Sequence, residues 1–174
     1  MLFLKNKAIN YFIILRGPAG IGKTTIAALL AKILNGYHIC LDTILHEHNL
    51  DHISDTCIPE YNFLEANKII IPLAQETLAA GKVVIFDGNF YHKKQLDDLI
   101  AQLQLPHMIY TIKASLETCL LRNKKRENRL SNQEVKNVFK LVSQFDYGDV
   151  INTEGQSIDK IIKKILRKKN LIKN

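Results

Sequence analysis

Eight consecutive residues, Gly17-Pro18-Ala19-Gly20-Ile21-Gly22-Lys23-Thr24, have the types needed to cradle a polyphosphate. The glycines let the backbone turn tightly and aim successive N–H groups at one anion. Lys23 can reach terminal phosphates as a point charge. The Thr24 hydroxyl suits Mg²⁺, an ion that keeps most of its waters and takes few protein ligands. The flanks agree. Tyr11–Leu15 is an apolar run of strand type, and KTTIAALLAKIL reads as a helix over Lys23–Leu34 whose N-terminal dipole faces the anion. Gly17, Pro18, Ala19, Gly20, Ile21, Gly22, Lys23, Thr24 and Thr25 are therefore expected at a nucleotide.

Two carboxylates follow apolar runs. VVIF closes on Asp87, the Walker B pattern, in which the carboxylate holds Mg²⁺ or one of its waters beside Thr24. The plainer reading is a turn, since Asp-Gly is a common turn dipeptide. HICL closes on Asp42. A carboxylate on the far side of the phosphate can orient an acceptor hydroxyl and take its proton. Its plainer role would be the N-cap of a helix starting at Thr43.

Arginine is scarce in this chain. Of five arginines, Arg122, Arg126 and Arg129 fall within eight residues. Phosphoryl transfer depends on positioning and charge neutralisation, so arginines brought over phosphates are valuable. On a helix predicted over Ser115–Glu127, Arg122 shares a face with Arg126 at i,i+4 and with Arg129 at i,i+7. Otherwise the segment is a solvated basic surface.

Positioning these groups requires strands whose ends converge. Strand-like runs occur at Tyr11–Arg16, Tyr37–Leu41, Lys82–Phe86, His107–Lys113 and Asp149–Ile151. Most are continuously apolar, as in strands buried on both faces. Helical patterns alternate with them. Asn62–Ala80 ends at Gly81, with Pro72 expected to kink it or start a second segment; Lys93–Leu103 ends before Pro106. Ser115 is an N-cap for the next helix. Ser131-Asn132-Gln133-Glu134 is a capping box for a helix to about Ser143, and Ser157–Lys169 is the last. The alternation predicts an α/β fold with a five-stranded parallel sheet covered on both faces. Ligands then sit at the carboxyl ends of the strands.

The 174 residues suit one domain, 1–174, and no apolar stretch is long enough to span a membrane. The N-terminal MLFLKNKAIN lacks signal-peptide features. Three cysteines without C-x-x-C spacing argue for a reducing, cytoplasmic setting. The net charge of +7 is local: residues 163–174 hold six of the 24 bases, leaving 18 against 17 acids elsewhere. Such a tail is read as the solvated end of a helix. Nucleic acid is an alternative that this tail does not favour.

The GPAGIGKT loop, Asp42, VVIFDGNF, LLRNKKRENR and Asn152-Thr153-Glu154-Gly155, in this order, resemble the P-loop kinases of nucleotide-kinase type. The resemblance covers nearly the whole chain. It is to the compact branch that includes shikimate and gluconate kinases, chloramphenicol phosphotransferase, zeta-toxin-like kinases and polynucleotide kinase domains. It implies a three-layer P-loop fold, ATP and Mg²⁺, a lid at about 122–130 and an acceptor-side flap at about 43–61. It also puts Arg122 and Arg129 near the adenine or phosphates, Thr153 and Gly155 near the adenine, and Asp42 on the acceptor hydroxyl as base. Where adenylate kinases follow the third-strand Asp-Gly with Pro-Arg, Asn89-Phe90-Tyr91-His92 stands here, against a nucleotide acceptor.

The stretch Asp42–Tyr61 contains five acids, three histidines and no Lys or Arg. A polyanionic acceptor would call for cations there, although Lys93 and Lys94 could supply them from the other wall. The expected acceptor is a neutral or cationic small molecule bearing a hydroxyl, used by a monomer or dimer. A metal site on His46, His48 and His52 is disfavoured, since spacing alone is poor grounds. Two alternatives stand: a 5′-hydroxyl polynucleotide kinase using the basic tail, and an ATP-binding regulatory module without acceptor chemistry.

Overall fold

The computed structural model describes residues 10–127 and 129–169. The stretch 1–9, Asn128 of the expected lid and the end of the basic tail at 170–174 lie outside the described residues. In chain order the elements are β1 (Phe12–Arg16), α1 (Lys23–Leu34), β2 (Tyr37–Cys40), α2 (Leu41–Glu47), α3 (Glu60–Ala79) and β3 (Val84–Gly88). They continue with α4 (Lys93–Leu103), β4 (His107–Lys113), α5 (Leu116–Lys124), α6 (Asn132–Val142), β5 (Asp149–Asn152) and α7 (Ile158–Lys169). The five strands form one sheet in the order β2-β3-β1-β4-β5, and every ladder is parallel.

The central strands β3, β1 and β4 are largely buried on both faces because helices cover both. Alternate residues of β1 enter different cores. Phe12 and Ile14 pack with α3, α4 and residues of α2, whereas Ile13 and Leu15 pack with α1, α7 and Cys119 of α5. Helix α6 serves both cores, sending Val135 into one and Val142 into the other. The sheet order puts β1 between β3 and β4, so the loop after β1 opens at the topological switch point, where the fold leaves a crevice.

Local signals set most boundaries. Ser131 and Glu134 form the reciprocal capping box that starts α6. Helix α3 ends in a Schellman turn, Gly81 N–H donating to Leu78 O at 2.9 Å and Lys82 N–H to Thr77 O at 3.2 Å. That turn takes Lys82 out of the sheet, so β3 runs Val84–Gly88 rather than Lys82–Phe86. Asp87 consequently sits inside the strand, paired in register with Leu15.

Three further expectations are corrected. Helix α3 passes through Pro72 without a break. Pro72 and Lys68, whose carbonyl loses its partner, both face solvent, while Ile70, Ile71, Ala74 and Leu78 hold the helix to the core. A short helix α2 begins at Leu41, so Asp42 lies in its first turn; the N-cap is Cys40. Helix α5 stops at Lys124, so Arg126 and Arg129 share no helical face with Arg122. The Asn123 side chain draws the chain back by donating to Leu130 O at 2.8 Å and accepting from Leu130 N–H at 3.2 Å. Continuing the helix would forfeit this pair of bonds.

Candidate active site

The loop between β1 and α1 is shaped by glycines that no other residue replaces without strain. Gly22, the N-cap of α1, has φ 96°, and Gly20 has φ 80°. A Cβ on Gly20 would also meet Cys119 O at 2.5 Å, whereas beside Gly22 there is open space. Ala19 and Ile21 are buried and anchor the loop, while Thr24 and Thr25 are exposed on the first turn of α1. The loop thus offers an open concavity at a helix N-terminus, which favours an anion.

Lys23 lies across this loop and is buried. Its Nζ donates to Pro18 O at 2.9 Å and to Asn89 Oδ1 at 3.3 Å. Burial lowers the ammonium's pKa, and the nearby Asp42 and Asp87 partly offset that. Asn89 then hands the connection on, its Nδ2 donating to Asp42 Oδ1 at 3.4 Å. Desolvation by the surrounding protein raises the Asp42 carboxyl above the ordinary aspartate value, with Lys23 opposing. The side chain is open to solvent at the cleft, so water screens much of that effect. Arg126, in the turn after α5, acts electrostatically on both Lys23 and Asp42. Lys23, Asp42 and Arg126 are therefore gathered in one place.

On the other side of Lys23, Thr24 Oγ1 donates to Asp87 Oδ2 at 2.8 Å. Asp87 is fully buried, and its second oxygen contacts Nε2 of His38, on the neighbouring strand β2. Thr24 and Asp87 present hard oxygens of the kind magnesium takes. Among the described residues no group of three or more His, Cys, Asp or Glu side chains is arranged to hold a metal, so His46, His48 and His52 make no such centre. His46 instead donates to Asp51 Oδ2 at 2.7 Å, and His52 meets Tyr61 and Asn62. The segment after α2 is pinned at Ile58, whose N–H donates to Tyr91 Oη at 3.0 Å and whose carbonyl accepts from His92 Nε2 at 2.9 Å.

Arg122 joins the phosphate loop to the β5–α7 loop, its Nη1 donating to Ile21 O at 3.1 Å and to Thr153 Oγ1 at 3.3 Å. Thr153 is buried and its hydroxyl donates to Lys113 O, whereas Gly155 is exposed at φ 62°. Glu154 between them accepts from Ser115 N–H at 2.8 Å and from the Thr118 hydroxyl, so it helps cap α5. Arg129 lines a surface depression with Asn123, Lys124 and Asn132, and is not among the charges bearing on Lys23 or Asp42.

Sequence reasoning gave no role to three residues here. His38 and Asn89 act through partners on other elements, so spacing along the chain carries no sign of them. Arg16 is the third. It is fully buried without a carboxylate hydrogen-bonded to it, and donates to Phe90 O, Thr111 Oγ1, Phe145 O and Val142 O at 2.8–3.3 Å. Its guanidinium also stacks 4.3 Å from the Phe145 ring centre. Burial lowers its pKa to about 10, with Asp146 opposing, so it stays charged at neutral pH. A polar residue closing an apolar strand was the available signal. Arg16 ties the Asn89–Phe90 loop to the end of α6. Arg16→Met would strand three carbonyls, and the expected loss is about 3 kcal/mol of unfolding free energy, read by urea denaturation. A loss within experimental error would show that water replaces the guanidinium.

Residues 12–142 match a family model described as AAA domain. No curated protein matches the sequence. Solved structures do match at low identity. The Mycobacterium tuberculosis APS kinase has TM-score 0.69 and 14% identity, over 91% of this chain and 96% of that one. Shikimate kinase from Acinetobacter baumannii has TM-score 0.61 and 19% identity, over 92% and 93%. A gluconokinase from Sinorhizobium meliloti 1021 has TM-score 0.63 and 11% identity, over 89% of each chain. Among the described residues no helix is long and apolar enough to cross a membrane. With the matched region covering most of its length, the chain belongs to this AAA domain family and has the fold of the compact P-loop kinases.

Proposed function

We propose that this chain transfers the γ-phosphate of Mg·ATP to a hydroxyl of a neutral or cationic small molecule. The observation that carries this reading is the chain of contacts from Lys23 through Asn89 to Asp42, which ties the phosphate-loop ammonium to an acceptor-side carboxylate. A regulatory nucleotide module needs the first group and has no use for the second.

In this reading Gly17–Thr25 hold the phosphates, and Arg122, Thr153 and Gly155 border the nucleotide. Thr24 and Asp87 are the magnesium residues, and their paired oxygens fit an ion that keeps several waters. Magnesium, when bound, neutralises charge on the phosphate oxygens. Asp42 orients the acceptor hydroxyl and takes its proton. The acceptor oxygen forms the new bond to the γ-phosphorus while the bond to the bridging oxygen breaks, releasing ADP. Lys23 and Arg126 neutralise the charge that develops, and Arg129 joins them when the lid closes.

The acceptor class rests on the composition of the Asp42–Tyr61 stretch, which carries five acids and no Lys or Arg. Lys94, one of the two cations that could serve an anionic acceptor, lies 3.7 Å from Glu60 in an exposed ion pair. The flap adds exposed Tyr61 and Ile53, surfaces suited to an uncharged or cationic body rather than to phosphate. ADP release from Mg·ATP in the presence of pooled acceptors tests the reading. Stimulation by pools of sugars, nucleosides or amino alcohols is the expected result. Stimulation only by phosphorylated compounds, or only by 5′-hydroxyl oligonucleotides, would overturn the acceptor class. No stimulation by any pool, with ATP bound, would favour a regulatory module.

A further inference from the structure

The least accounted-for polar side chain near the site is His38. It stands in β2 with its side chain about one-fifth exposed, in a strand register opposite Ile85 of β3. From there Nε2 reaches two residues along the neighbouring strand to Asp87 Oδ1. Asp87 Oδ2 is meanwhile occupied by the Thr24 hydroxyl. A carboxylate can only accept, so Nε2 carries the hydrogen and His38 is the donor.

The consequence is geometric. Asp87 has two side-chain torsions, and a carboxylate free to rotate about them could turn its plane so that neither oxygen points at Thr24. A donor on Oδ1 from one side and a donor on Oδ2 from the other remove that freedom. Outer hydrogen bonds of this kind orient a metal-binding carboxylate and maintain its affinity. We infer that His38 is a positioning residue for the magnesium site: its Nε2–H holds the plane of the Asp87 carboxylate so that one oxygen stays aimed at the Thr24 side. This rests on the reading that Thr24 and Asp87 are the magnesium residues. His38 itself contacts neither metal nor nucleotide in this scheme. The competing account is that His38 merely fills space between β2 and α1.

The test is ADP binding by calorimetry, with Mg²⁺ and with EDTA, for wild type, His38→Ala, His38→Gln and Asp87→Asn. The quantity read is the ratio of the two affinities, which a general loss of fold does not change selectively. His38→Ala is expected to lower the ratio about 10-fold or more. Its metal-free affinity should stay within about 3-fold, since phosphate contacts are untouched. His38→Gln, which keeps an N–H donor at similar reach, should restore most of the ratio. If Ala destabilises the strand, His38→Phe keeps the volume, lacks the donor and should show the same selective loss. An unchanged ratio in the Ala and Phe variants overturns the inference, as does failure of Gln to restore it. An equal loss with and without metal marks His38 as a packing residue and also overturns it. These results all require that wild type and Asp87→Asn differ. If wild type itself gains nothing from Mg²⁺ and matches Asp87→Asn, the magnesium reading fails and takes the inference with it.

Discussion

Lys23→Ala should leave a folded chain whose acceptor phosphorylation is slower by about 10²–10³-fold. Lys23 Nζ is buried under the loop and oriented by Pro18 O and Asn89 Oδ1. A charge held this way needs no reorganisation when negative charge builds on the transferred group, which is why its loss falls heavily on kcat. Burial already disfavours the ammonium, as the lowered pKa records, so removing it does not cost the fold a favourable buried charge. Steady-state kinetics with thermal melting of both proteins check this together. Turnover within threefold of wild type in a variant of wild-type melting temperature would remove Lys23 from the mechanism.

Asp42→Asn should lose about 10²–10⁴-fold in kcat while ADP affinity stays near wild type. Asparagine keeps the shape and can still meet Asn89, but it takes no proton from an acceptor hydroxyl. The contrast with Lys23→Ala is informative, because the proposed mechanism gives Lys23 to the phosphates and Asp42 to the acceptor. A pH profile adds an independent readout. Desolvation raises the Asp42 carboxyl, an effect that water at the exposed side chain screens in part, so activity should fall on acidification through a pKa displaced upward from the ordinary aspartate value. The base is available above that pKa and is lost as pH drops through it. The acidic limb should vanish in the Asn variant. Retained turnover, or an unchanged limb, would assign the proton to another group.

The two variants test groups that were legible in very different degrees. Lys23 belongs to a contiguous eight-residue pattern whose spacing is set by the phosphate it wraps. Asp42 is marked by the end of an apolar strand, but the helix that the sequence offers there starts at Thr43, two residues late, because α2 begins at Leu41 with no spacer after β2. The lid shows the limit of helical periodicity. Arg122, Arg126 and Arg129 have the spacing of one face, yet Asn123 ends the turn by bonding both backbone groups of Leu130. Arg126 then bears on Lys23 and Asp42 from a turn, not from a helix.

The sequence by itself determined the phosphate loop, the five strands, the capping boundaries and the parallel, doubly covered sheet. Each depends on residues within a few positions of one another, where local conformation and hydrophobic period dominate. Only the tertiary structure decided which strand lies beside which, and with it the partners of the polar side chains. His38 meets Asp87 because β2 pairs with β3, and Asn89 joins Lys23 to Asp42 because β1, β2 and β3 run parallel and end on the same side of the sheet. Arg16 spans to residues 126 and 129 positions away in the chain. Those contacts are fixed by burial of whole faces against one another, a global requirement that no local window of residues encodes.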